Sequence, residues 1–512
     1  MQPGAEAEYN TPVGLSTAQK EETMRPDINR SKLAVLAAAL ALVVSGSAFG
    51  EDATAVLDSA AKAMGAATLK TIRYSGSGSA ASFGQAYKPG MAWPKMNYPS
   101  YARLIDYDGA AFREEFVRSR AEPTGGGAAP LTGEQKVTQA LSGTYAWNQT
   151  GPAPAPALAA VAGRTQDLWT TPHGVIKAAM KNKADLKWHT QGGKKLPIVS
   201  FSVPGAFSAT AYLSADLLVE RVESRASNPV LGDITTAATY SDYRDFGGVK
   251  FPTRIVQRQG GYMVLDLAVK EVQPNGPSDI QVPDNVRAVT TERVTAEQAA
   301  EGVWFVSGGS HNSVAIEMKD HVVLVESPLY DERALPVFEA VKKLVPGKPI
   351  RYVVNSHTHF DHAGGLRAAA AEGATIITQS QNKPYFEKAF IIPNRIAPDA
   401  LAKSGKQPKI EGVGEKRVLT DGARTIEIHR LKNSVHTDTF LIVYLPREKL
   451  LIEADAYTPL PPDAQAPTPP NGNNVNLVEN IEQLKLAVER ILPLHGRMVP
   501  TAELYRTAGK GP

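Results

Sequence analysis

One short stretch constrains this chain more than any other: His357-Thr358-His359-Phe360-Asp361-His362. It follows the continuous apolar run 350–355 directly and precedes a helical pattern over 361–372. A buried strand must therefore hand over to a helix through four side chains able to ligate a metal. His357 and His359, two apart in an extended turn, project to the same side. Asp361 and His362 then lie at the helix start. Imidazole nitrogens and a carboxylate oxygen form a donor set that suits zinc. The chain has no cysteine, which excludes disulfides, thiol nucleophiles and thiolate ligands. Any metal must be held by His, Asp and Glu.

Three later residues extend the set. His436 falls in a loop between strands, within 433–438. Asp455 closes the strand-like run 450–454, and His495 follows a long helical pattern over 477–491. Strands are expected at 302–307, 313–318, 321–326, 374–378, 425–430, 439–445 and 450–453, with a helix at 331–345 that carries Pro336 in its first turns. Strands mixed with helices imply sheets covered by helices on their outer faces. Each candidate ligand sits at the end of an element, where a sheet presents side chains at one rim. His311, His321 and His429 read as non-ligands. The segments 386–409 and 457–474 are candidate lids over the site.

The combined motifs, HxHxDH with a later His, a later Asp and a final His, resemble the metallo-β-lactamase-fold hydrolase superfamily over roughly residues 290–505. The resemblance implies an α/β fold, an αββα sandwich. It implies that His357, His359 and His436 hold one zinc ion. Asp361, His362 and His495 hold a second, and Asp455 bridges both. It also implies a hydroxide shared by the two ions, oriented by Asp361 as the catalytic carboxylate. That hydroxide would attack an ester, thioester, lactone or amide-like bond of a small-molecule substrate. Where relatives carry Asp after the third strand this chain has Glu326, expected to support the metal loop from behind. Asp455 in place of Cys argues against the lactamase subclass that needs a thiolate. His359, where flavodiiron relatives carry Glu, favours zinc over iron. The loop reads VHTDT over 435–439 instead of GHTPG. A β-lactamase proper is the narrower alternative; a lipid- or envelope-binding protein with a vestigial metal site is the other.

The preceding half has a different texture. A helix is expected over 53–64, then alternating strand-like runs such as 71–74, 111–118, 198–203, 209–213, 218–224, 237–243, 249–257 and 262–272, an antiparallel β-rich domain. Its aromatic residues Trp169, Trp188, Tyr240, Tyr243 and Phe246 read as core, and His173 and His189 as structural or solvated. Stretch 151–163 reads as a surface loop. Segments 216–224 and 240–252 loosely resemble the curved sheets of periplasmic lipoprotein-sorting proteins. That resemblance implies a half-barrel able to hold an apolar group, hence a possible lipid or envelope partner.

The Pro-, Gly- and Asp-rich stretch 273–284 reads as a linker. The expected organisation is 1–50 signal peptide with its extension, 51–283 β-rich domain, 284–505 catalytic domain and 506–512 tail. The apolar run 33–44 has twelve residues, short of the about 20 needed to span a bilayer. Arg30 and Lys32 precede it and small residues follow, the pattern of an export signal cleaved after Ala48 or Gly50, with Met24 as the expected start. A bacterial periplasmic or secreted location follows, with no spanning segment after processing. The formal net charge of +3 gives no argument for a nucleic-acid partner.

Overall fold

The computed structural model of the chain describes residues 53–122, 126–127, 131 and 133–511. The apolar run 33–44 and its cleavage region lie outside the described residues. Among the described residues, no helix is long and apolar enough to cross a membrane.

The N-terminal region is a thirteen-stranded antiparallel sheet. Its first strand, Thr71–Ala81, lies in the middle, between Lys95–Asp106 and the closing strand Tyr262–Pro274. The sheet grows outward on both sides, ending at Ala155–Pro156 and at Asp185–Gln191. Strand alternation puts Phe207, Ala209, Ala211 and Leu213 on one buried face. Helices Ala53–Met64, Ala160–Trp169 and Pro172–Lys181 cover that face. The last begins cleanly because the Thr171 hydroxyl accepts from the Gly174 N–H and Pro172 occupies the first turn.

Two readings change here. Stretch 151–163 is not all loop, since a helix begins at Ala160. Trp188 is not core: it stands on the edge strand with 41% of its surface exposed. Tyr240, Trp169, Tyr243 and Phe246 do pack in the sheet's core. His173 is buried, with Nε2 3.2 Å from the Met64 carbonyl and its ring stacked on Phe251.

The C-terminal domain holds a seven-stranded and a six-stranded sheet, both mixed. Period-two alternation builds its layers. Phe305, Val314, Ile316, Val323, Val325 and Val354 point into the core shared with Ile426, Ile428, Ile442 and Ile452 of the second sheet. The intervening residues Val306, Ala315, Val322, Leu324 and Val353 point outward against helices Asp331–Leu344, Leu366–Glu372 and Lys383–Phe390.

Two helices differ from expectation. The helix expected over 361–372 breaks into Phe360–Ala363 and Leu366–Glu372. At the break, a Cβ on Gly364 would stand 1.7 Å from the Leu329 carbonyl oxygen. The helix expected over 477–491 instead spans Gly472–Gln483, capped by the Asn471 side chain. Lys485 then turns left-handed, with φ 54°. Residues Arg490–Pro493 form a strand parallel to Leu450–Glu453. Leu484 and Val488 mimic helical spacing only because the connecting loop packs on the same core.

Gly364→Ala should lower the free energy of unfolding by about 1–3 kcal/mol through overpacking against Leu329. Urea denaturation of the purified variant checks this.

Candidate metal centre

Topology alone brings the candidate residues to one place. Strand Ile350–Val354 is parallel to Val322–Val325, which is antiparallel to Ser313–Glu317. The end of the first, the end of the second and the start of the third therefore share a rim, which carries His357, Glu326 and His311. In the other sheet the start of Leu441–Leu445, the end of Leu450–Glu453 and the end of Arg490–Pro493 share a rim by the same logic. That rim carries His436, Asp455 and His495. The rims are stitched together: Leu441 N–H donates to the Ser356 carbonyl, and Asn312 N–H to the Leu494 carbonyl, each at 2.8 Å.

Two groups of side chains result, each with ligand atoms within 4.8 Å of one another. One is His357, His359, His436 and Asp455; the other is His311, Asp361, His362 and His495. Asp455 faces both. Its Oδ2 lies 2.9 Å from His436 Nε2 and 3.7 Å from His357 Nε2, and its Oδ1 lies 3.0 Å from His362 Nε2 and 2.9 Å from His495 Nε2. His311, set aside in the sequence, belongs here. Its Nε2 is 3.3 Å from Asp361 Oδ2, and its ring lies 4.2 Å from that of His495. The signal for it was positional: it precedes the strand whose start must share the rim with Glu326. His321 and His429 stay apart, bound to Asp320 and Glu427.

A shell of acceptors fixes which ring nitrogen faces the centre. Glu326, fully buried, takes the His362 Nδ1–H on Oε2 at 3.0 Å. The same oxygen accepts from the Ser356 hydroxyl, which in turn lies 2.9 Å from His357 Nδ1. Asn355 Nδ2 donates to Glu326 Oε1 at 3.2 Å. His495 Nδ1 reaches the Ser310 carbonyl at 3.1 Å, and His311 Nδ1 the Ser310 hydroxyl at 2.8 Å. With the outer nitrogens of His357, His362, His495 and His311 so engaged, their inner nitrogens face the centre, while the outer Nδ1 of His436 is buried without a partner. His357 and His436 Nε2 stand 3.3 Å apart, and His362 and His495 Nε2 3.1 Å apart. The inward Nδ1 of His359 is buried without a partner. Converging lone pairs of this kind fit divalent cations of the zinc type.

The electrostatics agree. Burial, reinforced by His362 and His359, holds His357 well below the usual imidazole range. Burial takes His359 down to about 3 and His311 down to about 4. Burial alone would raise Asp455, yet His362 and His436 outweigh it and keep the carboxyl well below its ordinary value. His362 is pushed well above its ordinary value, because Asp455 and Asp361 outweigh burial.

A cavity of about 380 Å³ opens onto Asp361, His436, Asp455 and His495. Of the two candidate lids, 457–474 lines it through Tyr457, Thr458, Leu460, Pro467, Asn471 and Asn473. Segment 386–409 does not. It docks on the N-terminal sheet instead, where Asp233 N–H donates to the Pro393 carbonyl and Asp233 accepts from Arg395 N–H. Gln85, from the N-terminal region, also lines the cavity; nothing in its local sequence marked it.

Two mixed sheets between helices, with His and Asp gathered on one shared rim, define an α/β sandwich with two side-chain groups able to hold metal ions. Residues 306–495 match the model of the metallo-beta-lactamase superfamily, and the C-terminal domain belongs to that superfamily. Solved structures with similarity include a metallo-beta-lactamase from Pontibacter korlensis (16% identity, 42% of this chain and 98% of that one, TM-score 0.33). The mono-zinc form of FIM-1 from Pseudomonas aeruginosa is another (19% identity, 43% and 96%, TM-score 0.31). A third is rubredoxin oxygen:oxidoreductase from Desulfovibrio gigas (17% identity, 42% and 61%, TM-score 0.34). No curated protein matches the chain.

Glu326→Gln removes the acceptor shared by His362 and Ser356, and should weaken zinc binding about 10–100-fold; chelator competition measures it. Asp455 and Asp361 hold His362 above its ordinary value, which favours its protonated form in the metal-free centre. A cation must displace that proton, so affinity rises with pH and falls in acid. Proton release on adding zinc to metal-free protein, followed with an indicator dye, checks the sign.

Proposed function

We propose that this chain is an exported, zinc-dependent hydrolase acting on an ester, thioester, lactone or amide-like bond of an uncharged small molecule. The observation that carries the reading is the convergence of two ligand groups on the opposite oxygens of Asp455. His357, His359 and His436 hold one cation, and Asp361, His362 and His495 hold the other, with His311 beside them. Two bound zinc ions supply a water of lowered pKa and an electrophile for the scissile group. Asp361 is half-buried, with one oxygen toward this group and the other toward Gln85. It is therefore placed to orient a nucleophile over the cavity.

The cavity wall supports the substrate class. Gln85, Thr458, Asn471, Asn473 and Asn474 offer neutral hydrogen-bonding groups, and no Lys or Arg is among its described lining residues. A substrate with a free carboxylate would find no fixed side-chain cation there, so neutral esters and lactones are favoured over β-lactams. Export rests on the basic flank and short apolar run at 30–44.

Metal analysis of the purified protein, paired with a substrate panel, tests the reading. About two zinc ions per chain are expected. His357→Ala should lower kcat/KM by more than about 100-fold, beyond the loss expected for an outer partner. Equal turnover in the variant would refute the mechanism, and faster turnover of β-lactams than of neutral esters would refute the substrate class.

A further inference from the structure

The hairpin loop 82–94 leaves the N-terminal sheet between the paired residues Ala81 and Lys95 and crosses the metal rim of the other sheets. Its anchor is aromatic. Phe360, which stands between His359 and Asp361 in the motif, packs edge-on against Phe83 at 5.4 Å and Trp93 at 5.9 Å. Gly84 adopts φ +83°, and a Cβ there would lie 2.5 Å from the Phe360 ring. Only glycine lets the backbone pass this close. Phe360 N–H then donates to the Gly84 carbonyl at 3.2 Å.

The next three residues each engage the centre. Gln85 Nε2 donates to Asp361 Oδ1 at 2.8 Å, which leaves Oδ2 toward His311 and His362. The Ala86 carbonyl lies 3.0 Å from His359 Nε2. Accepting there fixes the proton on Nε2 and leaves the unpartnered Nδ1 as the donor to a cation. Tyr87 grips the His436 loop. Its hydroxyl donates to the Ser434 carbonyl at 3.0 Å, and its carbonyl accepts from Asp438 N–H at 2.9 Å and the Thr437 hydroxyl at 2.8 Å.

We propose that residues 84–87 are a built-in part of the metal centre: Ala86 and Gln85 orient His359 and Asp361, so tight metal binding requires the N-terminal region. Gln85 and Ala86 act as positioning residues, one on each ligand group. The reason is the general one for outer partners of metal ligands. A ring or carboxylate free to rotate must be ordered at the moment of binding, and that cost appears as lost affinity. A loop that served only to join two bodies would change stability without changing metal affinity.

The proposal rests on the metal-centre reading above, and the two fail separately. A wild-type chain that binds zinc but hydrolyses nothing would refute the hydrolase alone. Two variants of the full chain test the loop. Gln85→Leu keeps the bulk and removes the donor; Gly84→Val drives a side chain into Phe360 and lifts both contacts. Zinc affinity by competition with a chromogenic chelator, and the visible spectrum of the cobalt-loaded protein, are the readouts. Gln85→Leu should weaken zinc binding about 10–100-fold and alter the cobalt spectrum, with Gly84→Val at least as severe. Wild-type affinity and spectrum in both variants would overturn the proposal.

Discussion

The carboxylate of Glu326 is the constraint around which the centre is arranged. A carboxylate removed from water survives only if its oxygens are satisfied, and here the donors are the residues of the metal motif itself: the His362 ring, the Ser356 hydroxyl and the Asn355 amide. One anion thus sets the tautomer of a histidine in each ligand group, directly for His362 and through Ser356 for His357. Reaching this position bends the backbone into the left-handed region, φ 70°, uncommon for a residue with a side chain. Such conformations persist where the surroundings over-determine them. Here strand pairing on one side, with Glu326 N–H donating to the Val354 carbonyl at 2.9 Å, and the motif's donors on the other do so.

The same logic extends across the sandwich. Neither sheet carries a complete ligand group: His357, His359, Asp361, His362 and His311 come from one rim, and His436, Asp455 and His495 from the other. Asn312 holds the two rims in register through the Pro493, Leu494 and Gly496 carbonyls. Arg333, fully buried, ties the His311 carbonyl to the Arg293 carbonyl. Geometry at the centre is therefore a property of how the sheets dock, to which loop 82–94 adds the outer contacts of His359 and Asp361.

Much of this was legible in the sequence because it is local. The apolar strand 350–354, the ligand spacing after it, and the period-two runs of the N-terminal region all follow from neighbours along the chain. What escaped depends on contacts made at a distance. His311 looked solitary until strand order placed its loop beside Glu326. The helix expected to reach 491 ended at Gln483, and Arg490–Pro493 instead runs as a strand between Leu450–Glu453 and Val499–Pro500; apolar spacing alone does not separate a helix from a loop packed on the same core. Gln85 and Ala86 carried no signal at all; one acts through an ordinary amide and the other through a backbone carbonyl.

The position of loop 82–94 within its sheet has a bearing on how the protein matures. The strand that launches the loop, Thr71–Ala81, is flanked by the chain's early strand Lys95–Asp106 and its late strand Tyr262–Pro274. Closing the second pairing brings together residues separated by nearly two hundred positions, and non-local pairings of that kind form slowly. The base of the loop itself, Ala81 paired with Lys95, is local by comparison. The contacts of Gln85 and Ala86 with Asp361 and His359 span 276 and 273 positions of the chain, so they form only once the N-terminal sheet and the two sheets of the sandwich have both folded.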